Sequence, residues 1–198
     1  MKRLETHRRL LAEWSEHTNL VGPKELAAYW QRHALDCAQL IRLAPGAKAW
    51  ADLGAGAGFP GIVVACCLAE TPGASVHLVE ATGKKARFLE TVIREAGLPA
   101  MLFNVRIEDF GVGPHPYQVV TARALAPLKR ILGYAKPILD RGAQGLFLKG
   151  SNLEAELADA RNALGGASGP DRIGPYRADV LESLSDPRGR ILRISKAV

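Results

Sequence analysis

The chain has 198 residues, 47% of them hydrophobic, with a formal net charge of +6, which accommodates one globular domain with a short helical appendage. No apolar run is long enough to span a bilayer. The start of the chain, Met1-Lys2-Arg3-Leu4-Glu5, lacks the apolar stretch of a secretory signal.

Leu4, His7, Leu11 and Trp14 recur at three- and four-residue steps, which predicts an amphipathic first helix with basic outer faces. Gly22-Pro23 breaks it and opens a second helix, where Leu26, Trp30, Ala34, Cys37 and Ile41 form one stripe. Pro45-Gly46 ends this helical extension, residues 1–45. Residues 46–198 then read as a single globular unit of alternating strands and helices. Strands are predicted at 49–53 and 75–79, the second running into Glu80, with a helix at 62–68 between them. Residues 84–96 predict a helix with Phe88, Leu89, Val92 and Ala96 inward, stopped by Gly97 and Pro99. Further strands are expected at 100–104, 117–122 and 145–149, and helices at 128–139 and 152–164. Residues 165–175 are glycine-rich and read as a mobile loop. Residues 178–184 and 190–195 read as a hairpin around Asp186-Pro187-Arg188-Gly189. The result is an α/β fold of Rossmann-like form. Its sheet is mostly parallel and seven-stranded, with helices on both faces and one antiparallel hairpin at an edge.

The segment Asp52-Leu53-Gly54-Ala55-Gly56-Ala57-Gly58-Phe59-Pro60-Gly61 carries most of the functional information. Glycines in a strand-to-helix turn let backbone approach a ligand closely, and the helix start offers unpaired N–H groups. Glu80, ending the second strand, is placed to grip ribose hydroxyls. Gly56-x-Gly58-x-x-Gly61 also matches the dinucleotide fingerprint, so an NAD-type oxidoreductase stays open. Against it, Asp52 is a poor neighbour for a pyrophosphate, and little chain is left for a hydride-acceptor domain. An acid beside the loop suits the sulfonium and α-amino groups of S-adenosyl-L-methionine.

Basic residues cluster at Lys2, Arg3, Arg8 and Arg9, at Lys84, Lys85 and Arg87, and at Arg123, Lys129 and Arg130, which favours nucleic acid over a membrane as partner. A non-catalytic RNA-binding assembly factor on the same fold would satisfy this as well. Cys37, Cys66 and Cys67 form no CxxC pair, so inert buried thiols in a reducing cytoplasm are expected, with no metal site.

The loop from Asp52 to Ile62, with Glu80 and Lys84-Lys85-x-x-Phe88-Leu89 after it, resembles the bacterial small-subunit ribosomal RNA methyltransferase G family, also called glucose-inhibited division protein B. So do Trp14-x-x-x-x-Asn19-Leu20, Arg32-His33-x-Leu35-Asp36, Asn104-Val105-Arg106-x-Glu108, Thr121-Ala122-Arg123-Ala124-x-Ala126-x-Leu128 and Leu148-Lys149-Gly150. The chain starts closer to Trp14 than members of that family do, so an abbreviated N-terminal cap is expected. The resemblance implies a class I methyltransferase fold and S-adenosyl-L-methionine-dependent methylation of N7 of one guanosine in 16S ribosomal RNA. The substrate would be the RNA or the small-subunit particle, and the enzyme a cytoplasmic monomer without metal. Asp52, Gly54, Gly56, Phe59 and Glu80 are then cofactor-binding candidates. Ile107 and Glu108 would flank the adenine. Arg123 would sit beside both cofactor and base as the catalytic candidate, and Arg32, His33 and Lys149 would contact RNA. Guanine N7 already carries a lone pair, so no general base is expected, and the chain has no Asn/Asp-Pro-Pro-aromatic motif.

Overall fold

The apolar runs pair into a single sheet in the computed structural model, which describes residues 1–165, 169 and 171–197. Strands β1 (Ala49–Leu53), β2 (Ser75–Val79), β3 (Ala100–Phe103), β4 (Val119–Arg123) and β5 (Gln144–Lys149) are parallel. Strands β6 (Arg172–Ile173), β7 (Tyr176–Glu182) and β8 (Arg190–Lys196) extend the sheet antiparallel, in the order β3-β2-β1-β4-β5-β8-β7-β6. The strand direction of progress reverses between β1 and β4, which opens a crevice at their carboxyl ends. The sheet has one strand more than expected. The extra strand, β6, falls in the stretch read as a loop, because Ile173 finds a fully buried position. Residues 166–168 and 170 of that stretch lie outside the described residues.

Side chains alternate across each strand, so β1 sends Trp50 to one core and Ala51 and Leu53 to the other. On the first face lie α5 (Gly61–Leu68), α6 (Gly83–Ala96) and the N-terminal α1 (Lys2–Ser15). There Leu10 and Leu11 pack with Ile62 and Phe88. The second face carries α7 (Leu128–Leu139) and α8 (Leu153–Leu164), with Leu128, Ile131 and Leu157 buried. The predicted inward residues of α6 are all buried. Among the described residues no helix is long and apolar enough to cross a membrane.

The second N-terminal helix departs from its expected stripe. After α2 (Pro23–Ala27) the chain winds as a π-helix over Tyr29–Leu35, then continues through α3 (Asp36–Ala38) and α4 (Leu40–Leu43). Hydrogen bonds from i to i+5 widen the turn and rotate the inward face. Tyr29 and His33 are therefore buried, while Trp30, placed on the stripe by a 3.6-residue period, is 39% exposed. The thiols also divide. Cys37 is buried, and burial pushes it up to about 12, but Cys67 is exposed, contrary to expectation.

At the end of β5 the Lys149 ammonium lies 2.6 Å from Glu156 Oε2, with the two side chains 9% and 19% exposed. The same carboxylate oxygen accepts the Leu128 N–H at 2.6 Å, so one acid on α8 neutralises a buried cation and caps α7. Glu156→Ala should cost about 3–5 kcal/mol, since it strands that cation. Glu156→Leu combined with Lys149→Met should recover much of the loss. Urea titrations of both variants check this, and equal destabilisation would refute it.

Candidate active site

The turn after β1 passes through Gly54 (φ 72°), where a Cβ would sit 2.5 Å from Leu125 Cδ1. Only glycine meets both demands at that position. The Gly54 and Ala55 N–H groups both donate to the Val79 carbonyl at 2.9 Å, which hangs the loop on the end of β2. Three side chains hold the rest. Glu80 Oε2 accepts the Gly56 N–H at 2.9 Å, His7 Nε2 contacts the Ala57 carbonyl at 2.9 Å, and Asp52 Oδ2 accepts the Gly61 N–H at 2.8 Å. A Cβ on Gly61 would approach that Asp52 oxygen to 2.6 Å, so glycine is required there too.

Asp52 is 1% exposed, and its Oδ1 accepts the Thr121 hydroxyl at 2.9 Å. Burial pushes its carboxyl up to about 7, against the hydrogen bonds from Thr121 and Gly61 that favour the charged form. Asp52, expected to touch the cofactor, is thus placed behind the loop, which it braces. The first amide of α5 is thus already taken by an internal carboxylate. A dinucleotide pyrophosphate uses that helix terminus, so the arrangement argues against the NAD-type alternative.

A cavity of about 540 Å³ opens at the switch point, and Gly54, Gly56, Phe59, Glu80, Ile107, Glu108 and Arg123 all line it. Of the expected cofactor residues Asp52 alone stands apart. Glu80 is 7% exposed, and each carboxylate oxygen is aimed by one backbone donor, Oε2 by Gly56 and Oε1 by Thr82 at 2.7 Å. Ile107 and Glu108 stand on a 3₁₀ turn after β3. The Glu108 backbone N–H, then the Tyr134 hydroxyl, hold that carboxyl below its ordinary value.

Arg123 ends β4 and reaches back to the N-terminal helices. Its Nη2 donates to His33 Nδ1 at 2.9 Å and to the Arg32 carbonyl at 3.2 Å, and its Nη1 reaches Cys37 Sγ at 3.6 Å. The guanidinium carbon lies 5.7 Å from the Phe59 ring centre, and Phe59 stacks on His33 at 4.7 Å. A guanidinium only donates, so His33 accepts at Nδ1 and is neutral. Burial first, then the Arg123 and Arg32 charges, push it down to about 4.

A second cavity of about 580 Å³ adjoins the first and shares Arg123, Ala124 and Leu125 with it. Ala124 at the junction has φ 49°, a left-handed conformation that costs a non-glycine residue about 1–3 kcal/mol and recurs at functional sites. Arg32 and Arg188 edge this cavity. Lys149, expected among the RNA contacts, lines it too and is ion-paired with Glu156. The basic N-terminal cluster is neutralised as well. Arg3 pairs with Glu70 at 2.8 Å, Arg8 with Glu5 at 2.6 Å, and Arg9 with Glu13 and Glu95 at 2.7 Å. Positive charge is instead carried to the rim of the first cavity by Lys85, Arg106 and Arg130. Sequence reasoning missed His7, Thr121 and Glu156 as supports. Only His7 left a signal, a polar ring inside an apolar stripe.

A parallel α/β sheet, a glycine turn after β1, an acid ending β2 and a cavity at the switch point together define the class of S-adenosylmethionine-dependent methyltransferases. Solved structures share that fold. The O-methyltransferase TomG from Streptomyces achromogenes, in complex with SAM, superposes with a TM-score of 0.65 at 17% identity, over 100% of this chain and 91% of that one. A SAM dependent methyltransferase from Aquifex aeolicus does so with a TM-score of 0.61 at 12% identity, over 91% and 97%.

Sequence likeness is far more specific. The family described as GidB, rRNA small subunit methyltransferase G, matches residues 1–168. The ribosomal RNA small subunit methyltransferase G of Caulobacter vibrioides (strain NA1000 / CB15N) is 51% identical over 187 residues, covering 94% of this chain and 81% of that protein. Its counterpart in Parvibaculum lavamentivorans is 43% identical over 195 residues, covering 98% and 82%. The chain belongs to the rRNA small subunit methyltransferase G family.

The raised Asp52 carboxyl has a pH signature. Between the ordinary value of 3.8 and about 7, the folded protein keeps this proton while the unfolded chain has released it. Its contribution to stability therefore declines as pH rises through that window. The stability of the wild type relative to Asp52→Asn, measured by urea titration, should fall across the window and level off above it. A difference independent of pH would show an ordinary carboxyl.

Proposed function

We propose that this protein transfers a methyl group from S-adenosylmethionine to N7 of one guanosine in 16S ribosomal RNA, acting as a cytoplasmic monomer on the RNA or the small-subunit particle. The observation that carries the reading is the pair of cavities that meet at Arg123. One has the lining a nucleoside-bearing methyl donor needs, and the other is large enough for a base.

The residues of the first cavity fit the donor. Glu80 has a preset carboxylate with lone pairs to spare for a ribose diol. Ile107 offers an apolar wall for adenine, and backbone at Gly54 and Gly56 permits close approach. When bound, the donor supplies an electrophilic methyl group on a positively charged sulfur.

The chain's own residues then position and exclude. Guanine N7 presents its lone pair without prior deprotonation, so no side chain needs to take a proton. His33 Nδ1 is in any case occupied by Arg123. Positive charge accumulates on the base during transfer, so an arginine pressed on N7 would oppose the product. Arg123 uses Nη2 twice and Nη1 once within the protein, which leaves it donors for the neighbouring O6. Rate enhancement comes from alignment and electrostatics, and the target base must be unstacked to enter.

Mass mapping of 16S ribosomal RNA from cells with and without the protein tests the reaction: one 7-methylguanosine should disappear with the gene. Arg123→Ala, which gives up its bonds to His33 and the Arg32 carbonyl, should stay folded with a somewhat lower thermal midpoint and still bind the donor, and should lower kcat about 100-fold or more, within the range for losing a positioned donor. Near-normal turnover by that variant would remove Arg123 from the chemistry.

A further inference from the structure

Adenine presents an N7 acceptor just as guanine does, so chemistry at N7 cannot by itself select guanosine. The second cavity holds a group that can. Three carboxylates line it, Glu156, Asp186 and Asp36. Glu156 is committed to Lys149 and the Leu128 amide, and Asp186, 27% exposed and so better hydrated, accepts the Arg188 N–H of its own turn at 2.9 Å on Oδ1 and has Arg32 4.0 Å from Oδ2. Asp36 is divided. Its Oδ1 accepts from Ser185 Oγ at 2.7 Å, Ser183 Oγ at 2.9 Å and Gln39 Nε2 at 3.0 Å, which fills that oxygen. Its Oδ2 accepts no hydrogen bond among the described residues and lies 3.9 Å from Arg123 Nη2, beyond bonding distance. The side chain is 14% exposed and lines the second cavity, which leaves Oδ2 open to a donor placed there.

Resting on the reading of the first cavity as the methyl-donor site, we propose that Asp36 is the specificity-determining residue for the target base. Its Oδ2 accepts from guanine N1–H and the N2 amine while Arg123 donates to O6. The order of groups supports this. Around the guanine rim N7 is followed by O6, then N1, then N2. Along the protein the donor cavity is followed by Arg123, which lines both cavities, and then by Asp36, which lines the second alone. A base entering with N7 toward the methyl group thus meets a donor at its acceptor and an acceptor at its donors. Adenine reverses both, with an amine opposite the arginine and a lone pair opposite the carboxylate. Sites that hydrogen-bond a substrate group reject analogues lacking it strongly, because buried polar groups are left unpaired.

The experiment uses small subunits reconstituted with inosine at the mapped guanosine, since inosine keeps N7, O6 and N1–H and loses only the N2 amine. Wild-type kcat/KM should be lower on the inosine particle by about tenfold or more. Asp36→Asn retains an oxygen for the bonds from Ser183, Ser185 and Gln39 but turns the other arm into a donor. It should lose about 100-fold in kcat/KM on guanosine and no longer prefer guanosine to inosine. Its affinity for S-adenosylmethionine, read by calorimetry, should be unchanged. Ser185→Ala, which removes one bond to Oδ1 and leaves Oδ2 alone, should keep the preference and so separates reading the base from holding the fold. Equal wild-type rates on both particles, or an Asp36→Asn enzyme that still prefers guanosine, would overturn the assignment. Absence of methyl transfer by wild type to the guanosine particle would instead overturn the methyltransferase reading beneath it.

Discussion

Asp52 occupies the carboxyl end of β1 without solvent contact, and through it three elements are fastened at the switch point. It accepts the first amide of α5 from Gly61 and the hydroxyl of Thr121 from β4. Burial works against its ionised form, and the two hydrogen bonds only partly offset that cost. The consequence for function is geometric. The loop's far end is fixed to the strand from which it springs, so its glycine backbone forms a preset cavity wall. The α5 terminus, already holding an internal acid, is closed to an external phosphate.

The N-terminal helices belong to the wall of the site. His7 joins α1 to the loop at Ala57, and Tyr29 joins His7 to the Leu4 carbonyl. The π-helical turn brings His33 against Phe59 and Arg123. One turn further, Asp36 and Gln39 grip the bend between β7 and β8 through Ser183 and the Leu184 amide. The helical extension and the C-terminal hairpin are therefore locked together around the second cavity. Wide helical turns of this kind often mark functional positions. Here the added residue determines which side chains face inward.

Charge is distributed with similar economy. The net +6 is not spread evenly over the surface. Along α1 it is cancelled by Glu5, Glu13, Glu70 and Glu95, and at the end of β5 by Glu156. Cations with no carboxylate within bonding distance among the described residues, such as Lys85, Arg106 and Arg130, line the first cavity. A positive rim of this kind raises the local concentration of an anionic polymer at this face of the molecule.

Much of this could be read from residues near one another in the chain. Alternation and helical period located the sheet, the paired helices and the hairpin, and glycines after an apolar run marked the turn that walls the first cavity. What was not legible shares one origin. A uniform helical period places Trp30 on a buried face, and the π-helical turn moves it out. Spacing along the chain points Asp52 and Lys149 toward ligands and gives no sign of the internal partners, Thr121 and Glu156, that the fold brings to them. Local sequence determined the fold class and the position of the loop, because backbone conformation answers to neighbours a few residues away. Tertiary structure alone decided which charged groups are spent and which remain for a ligand. Those pairings join residues as distant as Asp36 and Ser185, 149 positions apart, and no local pattern specifies which side chains burial will bring together.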